Sequence, residues 1–263
     1  MNSYVNVRYQ THDRGRIAYV TVDNAAKLNS LSSEVMDQFI DLFRGLAADL
    51  ALRAVVLTGA GDKAFIGGAN IDEMAALGSP QEARAFILKV HGCCHAIRQT
   101  RAPVIAAVNG WCLGAGLEVA AACDLRLAAD TARFGMPEVK LGLPSVVEAA
   151  LLPSLIGWGR TRRILMTGEI FGAAEALAWG LIEEAHPPAL LLAAVEDLLD
   201  KLLAAEPRAA QLQKALIQAW EEAPISRAII AGVDAFEDAW TTDEPANAMA
   251  RFLAERRAAK ADA

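Results

Sequence analysis

Three short aliphatic runs, Arg53–Thr58, Pro103–Val108 and Leu125–Ala128, are separated by longer stretches of helical periodicity. Each run is too short for a helix and too apolar for a surface, so each reads as a buried strand. Buried strands joined through helices need crossover connections, which places the chain in the α/β class. An earlier alternating segment, Ile17–Val22, reads as a further strand. Between it and Arg53, Ser32 or Ser33 caps a helix whose apolar face is Val35, Met36, Phe39, Leu42, Phe43, Leu46 and Leu50.

The rest of the chain divides unevenly. The turn Gly59–Asp62 leads to Phe65–Asn70, which is too rich in glycine for the interior of a strand or helix. A helix is expected over about Pro80–Thr100 and another over Gly114–Ala122, the latter opened by glycines. Phe134–Val139 reads as extended and Leu141–Pro144 as a loop. From Ser145 onward helices dominate. His186-Pro187-Pro188 is the natural break, because two prolines stop a helix, and it separates residues 1–187 from a helical region 188–263. The strand–helix rhythm hints at a structural repeat without a sequence repeat.

Composition excludes several function classes. The 263 residues carry a net charge of −7, and an acidic surface repels nucleic acid. The four cysteines form no C-x-x-C pair, so neither a disulfide framework nor a zinc site is expected and a reducing cytoplasm is the simple reading. Met1–Gln10 has no apolar core of a secretory signal, and the longest charge-free run, Ala102–Leu117, is broken by proline and glycine and is too short to span a membrane. No P-loop or G-x-S-x-G elbow occurs.

Several segments could carry chemistry. Gly67-Gly68-Ala69-Asn70 would let free N–H groups approach a ligand, although alone it reads as a plain turn. Leu113-Gly114-Ala115-Gly116-Leu117-Glu118 opens a helix, where the first N–H groups lack internal partners and can hold a developing negative charge. Close helix packing through small residues explains it equally well. Glu118 sits in an apolar first turn, which should raise its proton affinity and fit it for proton transfer. Glu138 follows Pro137, which would aim it; an exposed loop glutamate is the plainer reading of that residue alone. Two carboxylates near one oxyanion site would make an acid–base pair. Glu148 is expected to close a capping box with Ser145. His91 and His95 share a helix face but have no evident acidic partner, so a structural pair is expected rather than a metal site.

Together these segments resemble the enoyl-CoA hydratase/isomerase (crotonase) superfamily. The resemblance rests on Ala26–Leu31, Ala64–Ile71, Val108-Asn109-Gly110 through Glu118, Cys123–Asp130 and Phe134–Gly142, in that order along nearly the whole chain. It implies a spiral of ββα units followed by a C-terminal helical region that assembles trimers, sometimes paired into hexamers. It implies that the N–H groups of Ala69 and Ala115 bind the thioester oxygen of an acyl-CoA. It implies that Lys27, Leu28, Gly67, Gly68, Asn70, Ile71 and Gly114 border the substrate. Glu118 and Glu138 match the two glutamates of relatives that hydrate enoyl-CoA, Glu118 activating water and Glu138 delivering a proton. No metal or separate cofactor is implied, since coenzyme A is part of the substrate. A double-bond isomerase, an acyl-CoA hydrolase enlisting Glu148, and a non-catalytic scaffold are the alternatives on the same fold. The chain departs from the family pattern at Asn70, where an aspartate is usual, and at Ala115, where a glycine is usual. Leu143–Ala150 replaces a stretch that is usually glycine-rich.

Overall fold

The computed structural model describes residues 3–261, with side chains through Ala259. The chain forms two compact units that divide between Leu199 and Asp200.

The first unit opens with a hairpin, β1 (Val5–His12) and β2 (Gly15–Val22), paired antiparallel. Helix α1 (Ser33–Ala48) follows, capped by the Ser32 hydroxyl, which accepts from the Val35 N–H at 3.4 Å. Its buried face is Val35, Met36, Phe39, Phe43 and Leu46, the face set by the apolar spacing. Leu50 falls beyond the end of the helix and is 73% exposed, so it does not belong to that face.

The repeat then becomes visible. Strand β3 (Leu52–Gly59) leads to β4 (Ala64–Ile66), then to α2 (Ile71–Ala75) and α3 (Pro80–Gln99). Strand β5 (Val104–Val108) leads to β6 (Trp111–Leu113) and α4 (Ala115–Ala122). Strand β7 (Leu125–Ala129) leads to β8 (Arg133–Gly135). In each pass the first strand joins a large sheet and the second joins a small one. The large sheet has the order β1-β2-β3-β5-β7-β10, and the small sheet β4-β6-β8-β9, where β9 is Ile170–Gly172 and β10 is Glu184–His186. The pairs β3–β5, β5–β7, β4–β6 and β6–β8 are all parallel. This is the ββα spiral expected from the resemblance. The three-residue strands of the small sheet have no readable period, which is why the sequence signals only one strand per repeat.

Two local expectations change. Ala64–Ile66 is a fully buried strand, so the glycine-rich segment starts only at Gly67. Phe134–Val139 is not extended throughout: after β8 the chain tightens into a 3-10 turn over Pro137–Leu141, started by the proline. Beyond it lie a second 3-10 turn at Val147–Leu151 and α5 (Leu152–Thr167), whose regular dihedrals break at Gly157. Helix α6 (Ala173–Trp179) precedes β10, and α7 (Leu191–Ala204) follows the two prolines.

The second unit contains α8 (Pro207–Glu222), α9 (Ile225–Ala239) and α10 (Glu244–Ala261). Arg208 ties it together: its guanidinium donates to Asp238 at 2.7 Å and its N–H to Glu244 at 3.1 Å. Among the described residues no helix is long and apolar enough to cross a membrane.

Candidate active site

The spiral leaves a cavity of about 750 Å³ in the first unit, within the range of small-molecule sites. Its floor is the loop Gly67-Gly68-Ala69 after β4 and the turn Leu113-Gly114-Ala115 after β6. Its apolar wall comes from Ile71 and Met74 of α2, from Phe86, Ile87 and Val90 of α3, and from Leu141, Leu143 and Val146. Glu118 and Glu138 both line it.

The floor is built by backbone crowding. A Cβ on Gly116 would lie 2.0 Å from the Ile66 carbonyl oxygen, so only glycine lets the start of α4 pack against β4. The loop after β4 is laced to the segment before α1. Gly67 N–H donates to Leu28 O at 2.8 Å, Leu31 N–H to Gly68 O at 2.9 Å, and Asn70 N–H to Leu31 O at 2.8 Å. In this parallel bridge between Leu31 and Ala69 the Ala69 N–H faces away from its neighbour. The Ala115 N–H is the first of a helix and has no partner within it. Neither amide donates to a protein acceptor among the described residues, and both residues line the cavity.

Two carboxylates flank Gly114. Glu118 N–H donates to Gly114 O at 3.0 Å, and a Cβ on Gly114 would lie 2.4 Å from Glu138 Oε1. Glu118 is 4% exposed, and its Oε1 accepts only the Ala149 N–H at 3.2 Å. Burial, then the charge of Glu138, raise its pKa to about 8, against the Ala149 bond that lowers it. Glu138 is half-buried on its 3-10 turn, and the Ser145 hydroxyl donates to its Oε2 at 2.8 Å.

That last bond overturns the expected capping box. The turn at Val147–Leu151 has no side-chain cap, because Ser145 is committed to Glu138. Glu148 instead meets His91 of α3, Oε1 to Nδ1 at 2.7 Å, which supplies the acidic partner His91 was expected to lack. A capping box needs both side chains turned to one helix start, and tertiary contacts turn them to different elements here.

Of the residues singled out, Gly67, Gly68, Ala69, Ile71, Gly114, Ala115, Glu118 and Glu138 line the cavity together. Lys27, Leu28, Asn70 and Glu148 do not. Asn70 is buried as the cap of α2, accepting from Glu73 N–H at 3.0 Å. Lys27 lies at the exposed edge, 3.6 Å from Asp72. Two supporting residues carried no signal for the roles they take. Ser145 is one. The other is Asn29, fully buried with a positive φ of 54°, whose amide donates to Ala60 O at 3.0 Å and Ala64 O at 2.8 Å. A buried asparagine in the left-handed region is a familiar turn device, but its long-range partners cannot be read from the chain order. Among the described residues no group of three or more His, Cys, Asp or Glu side chains is arranged to hold a metal ion.

Residues 12–261 match the family described as enoyl-CoA hydratase/isomerase. The chain is 34% identical over 257 residues to the crotonyl-CoA hydratase of Syntrophomonas wolfei, covering 97% of this chain and 98% of that one. It is 33% identical over 244 residues to the short-chain-enoyl-CoA hydratase of Clostridium acetobutylicum, covering 92% and 93%. Its fold matches the crystal structure of an enoyl-CoA hydratase from Bacillus anthracis with a TM-score of 0.90 at 28% identity, covering 96% and 97%.

Proposed function

The chain belongs to the enoyl-CoA hydratase/isomerase family, and we propose that it adds water across the 2,3 double bond of an enoyl-CoA thioester. The observation that carries this reading is the convergence of four groups on one apolar cavity: the unengaged N–H groups of Ala69 and Ala115, and the carboxyl groups of Glu118 and Glu138. The two amides hold the thioester oxygen, which gains negative charge as C3 is attacked. Removing one such donor costs roughly 3 kcal/mol in the barrier.

The acid–base steps balance with a single proton on the pair. With Glu118 raised to about 8, that proton rests on Glu118 in the empty site near neutral pH. A water between the two carboxyl groups passes it to Glu138, leaving Glu118 ionised. Glu118 then takes a proton from the water as its oxygen bonds to C3, and Glu138 gives its proton to C2. The addition ends with the proton on Glu118 and Glu138 ionised, which is the resting distribution. Coenzyme A enters with the substrate; its nucleotide runs past Lys27 and Leu28 at the exposed edge of the loop that carries Gly67. The chain works in the cytoplasm as a homotrimer or hexamer, a reading supported by four buried thiols and by the exposed apolar residues of α9.

Loss of crotonyl-CoA, followed by the absorbance of its conjugated thioester, tests the reaction. Wild type consumes it, and Glu138→Gln lowers turnover by at least a hundredfold because an amide cannot serve as the acid. Isomerisation of a 3-enoyl-CoA without crotonyl-CoA loss would make the protein an isomerase. RNA retention at physiological salt without thioester turnover would favour a scaffold. Hydrolysis through Glu148 has little support, because Glu148 does not line the cavity.

A further inference from the structure

Behind the acid–base pair lies a second pair of ionisable side chains, Glu148 and His91. We infer that Glu148 and His91 form a positioning unit for Glu118, a role that rests on the hydratase reading above.

Three observations carry it. First, Glu148 is 8% exposed, so its carboxylate has been taken out of water, and a buried carboxylate needs partners. Its Oε1 has one, His91 Nδ1 at 2.7 Å, whereas Oε2 is fully buried with no hydrogen-bond partner. Second, the next residue, Ala149, provides the only hydrogen bond to the Glu118 carboxyl among the described residues, from its N–H to Oε1 at 3.2 Å. Anchoring the Glu148 side chain on α3 therefore anchors the amide that holds Glu118. Third, the preceding residue, Val147, has a φ of +41°, a left-handed conformation that a β-branched residue rarely adopts. Such strain persists only where the surroundings hold it. The next two residues do so here, Glu148 through its bond to α3 and Ala149 through its bond to Glu118.

The unit also sets the charge around Glu118. The ionisable groups facing Glu118 are Glu138 and Glu148, both of which favour its protonated form, and the buried thiol of Cys94. Those facing Glu148 are His91, Glu118 and the thiols of Cys93 and Cys94, which burial keeps protonated. His95 lies against His91, with ring centres 5.7 Å apart. His91 is the one basic group bonded to Glu148, and its ring is 48% exposed, so it links a buried anion to solvent. A carboxylate placed here costs desolvation, which a packing role alone would not justify. Its effect on the proton of Glu118 gives that cost a use.

Glu148→Gln and the pair His91→Ala and His91→Asn test the unit. Glu148→Gln keeps a hydrogen-bonding side chain but removes the charge. Its expected effect is a fall in kcat of about tenfold, with KM within about twofold, and a downward displacement of the basic limb of kcat/KM against pH. His91→Asn keeps a donor where Nδ1 stands and recovers at least half of the kcat lost in His91→Ala. The carboxyl titration of Glu118, followed by carbon NMR of labelled glutamate, reads the same displacement without turnover. A lowered Glu118 titration in Glu148→Gln supports the unit even if no enoyl-CoA is hydrated, which separates this inference from the hydratase reading. An unmoved titration and pH limb, with only the melting temperature changed, would reduce the pair to packing.

Discussion

Glu118 links the fold to pH through its buried carboxyl. Its pKa lies near 4.5 in an unfolded chain and at about 8 in the fold, mainly because of burial. Between those values the folded state binds a proton that the unfolded state has released, so stability falls as pH rises across that window and is level above it. Glu118→Gln removes the ionisation and is therefore stabilising above about pH 8. The expected gain over wild type grows by about 4 kcal/mol from pH 5 to pH 9, read from denaturant melts at each pH. A pH-independent difference would mean that Glu118 ionises freely in the fold. The catalytic counterpart is a kcat/KM that declines above about pH 8, as the pair loses its one proton. The type of this residue and its apolar neighbours were legible in the chain. The bonds of Ser145 and Glu148 were not, because a local capping pattern predicted partners three residues apart and the fold supplied partners on other elements.

At the scale of elements, the site depends on how closely α4 approaches β4. Gly116 sits at that contact, and a methyl group there meets the backbone oxygen of Ile66 at 2.0 Å, which no rotamer change can relieve. Gly116→Ala should cost about 1–3 kcal/mol in stability, as overpacked cores do. It should also lower kcat at least tenfold by moving the Ala115 amide away from Ala69. Denaturant melts and crotonyl-CoA turnover check the two parts; an unchanged kcat would show that the spacing of the amides is not critical. The glycines of this segment were visible in the sequence with two readings, tight packing and ligand approach. The structure contains both, packing at Gly116 and the cavity floor at Gly114. The short strands of the small sheet were invisible, since three residues are too few for a period, yet they hold the two loops side by side.

At the scale of the molecule, α9 presents Ile225, Ile229, Ile230, Val233 and Phe236 to solvent, each more than half exposed. This apolar stripe on an amphipathic helix is the surface that the proposed assembly would cover. Sedimentation of wild type should give the mass of three or six chains, and Phe236→Glu should shift it toward one. A wild-type monomer at micromolar concentration would remove the assembly from the account.

The order of residues alone carried the α/β class, the buried strands of the large sheet and most helices. Those follow from local period and capping, which need no knowledge of distant neighbours, whereas the oxyanion donors and the carboxyl pair were implied by the resemblance of the ordered motifs. Packing across the fold settled that Ser145 serves Glu138 and that Glu148 pairs with His91. Neither follows from the three-residue capping spacing, and a polar side chain takes whichever partner the packing of the whole core brings within reach of its hydrogen bond.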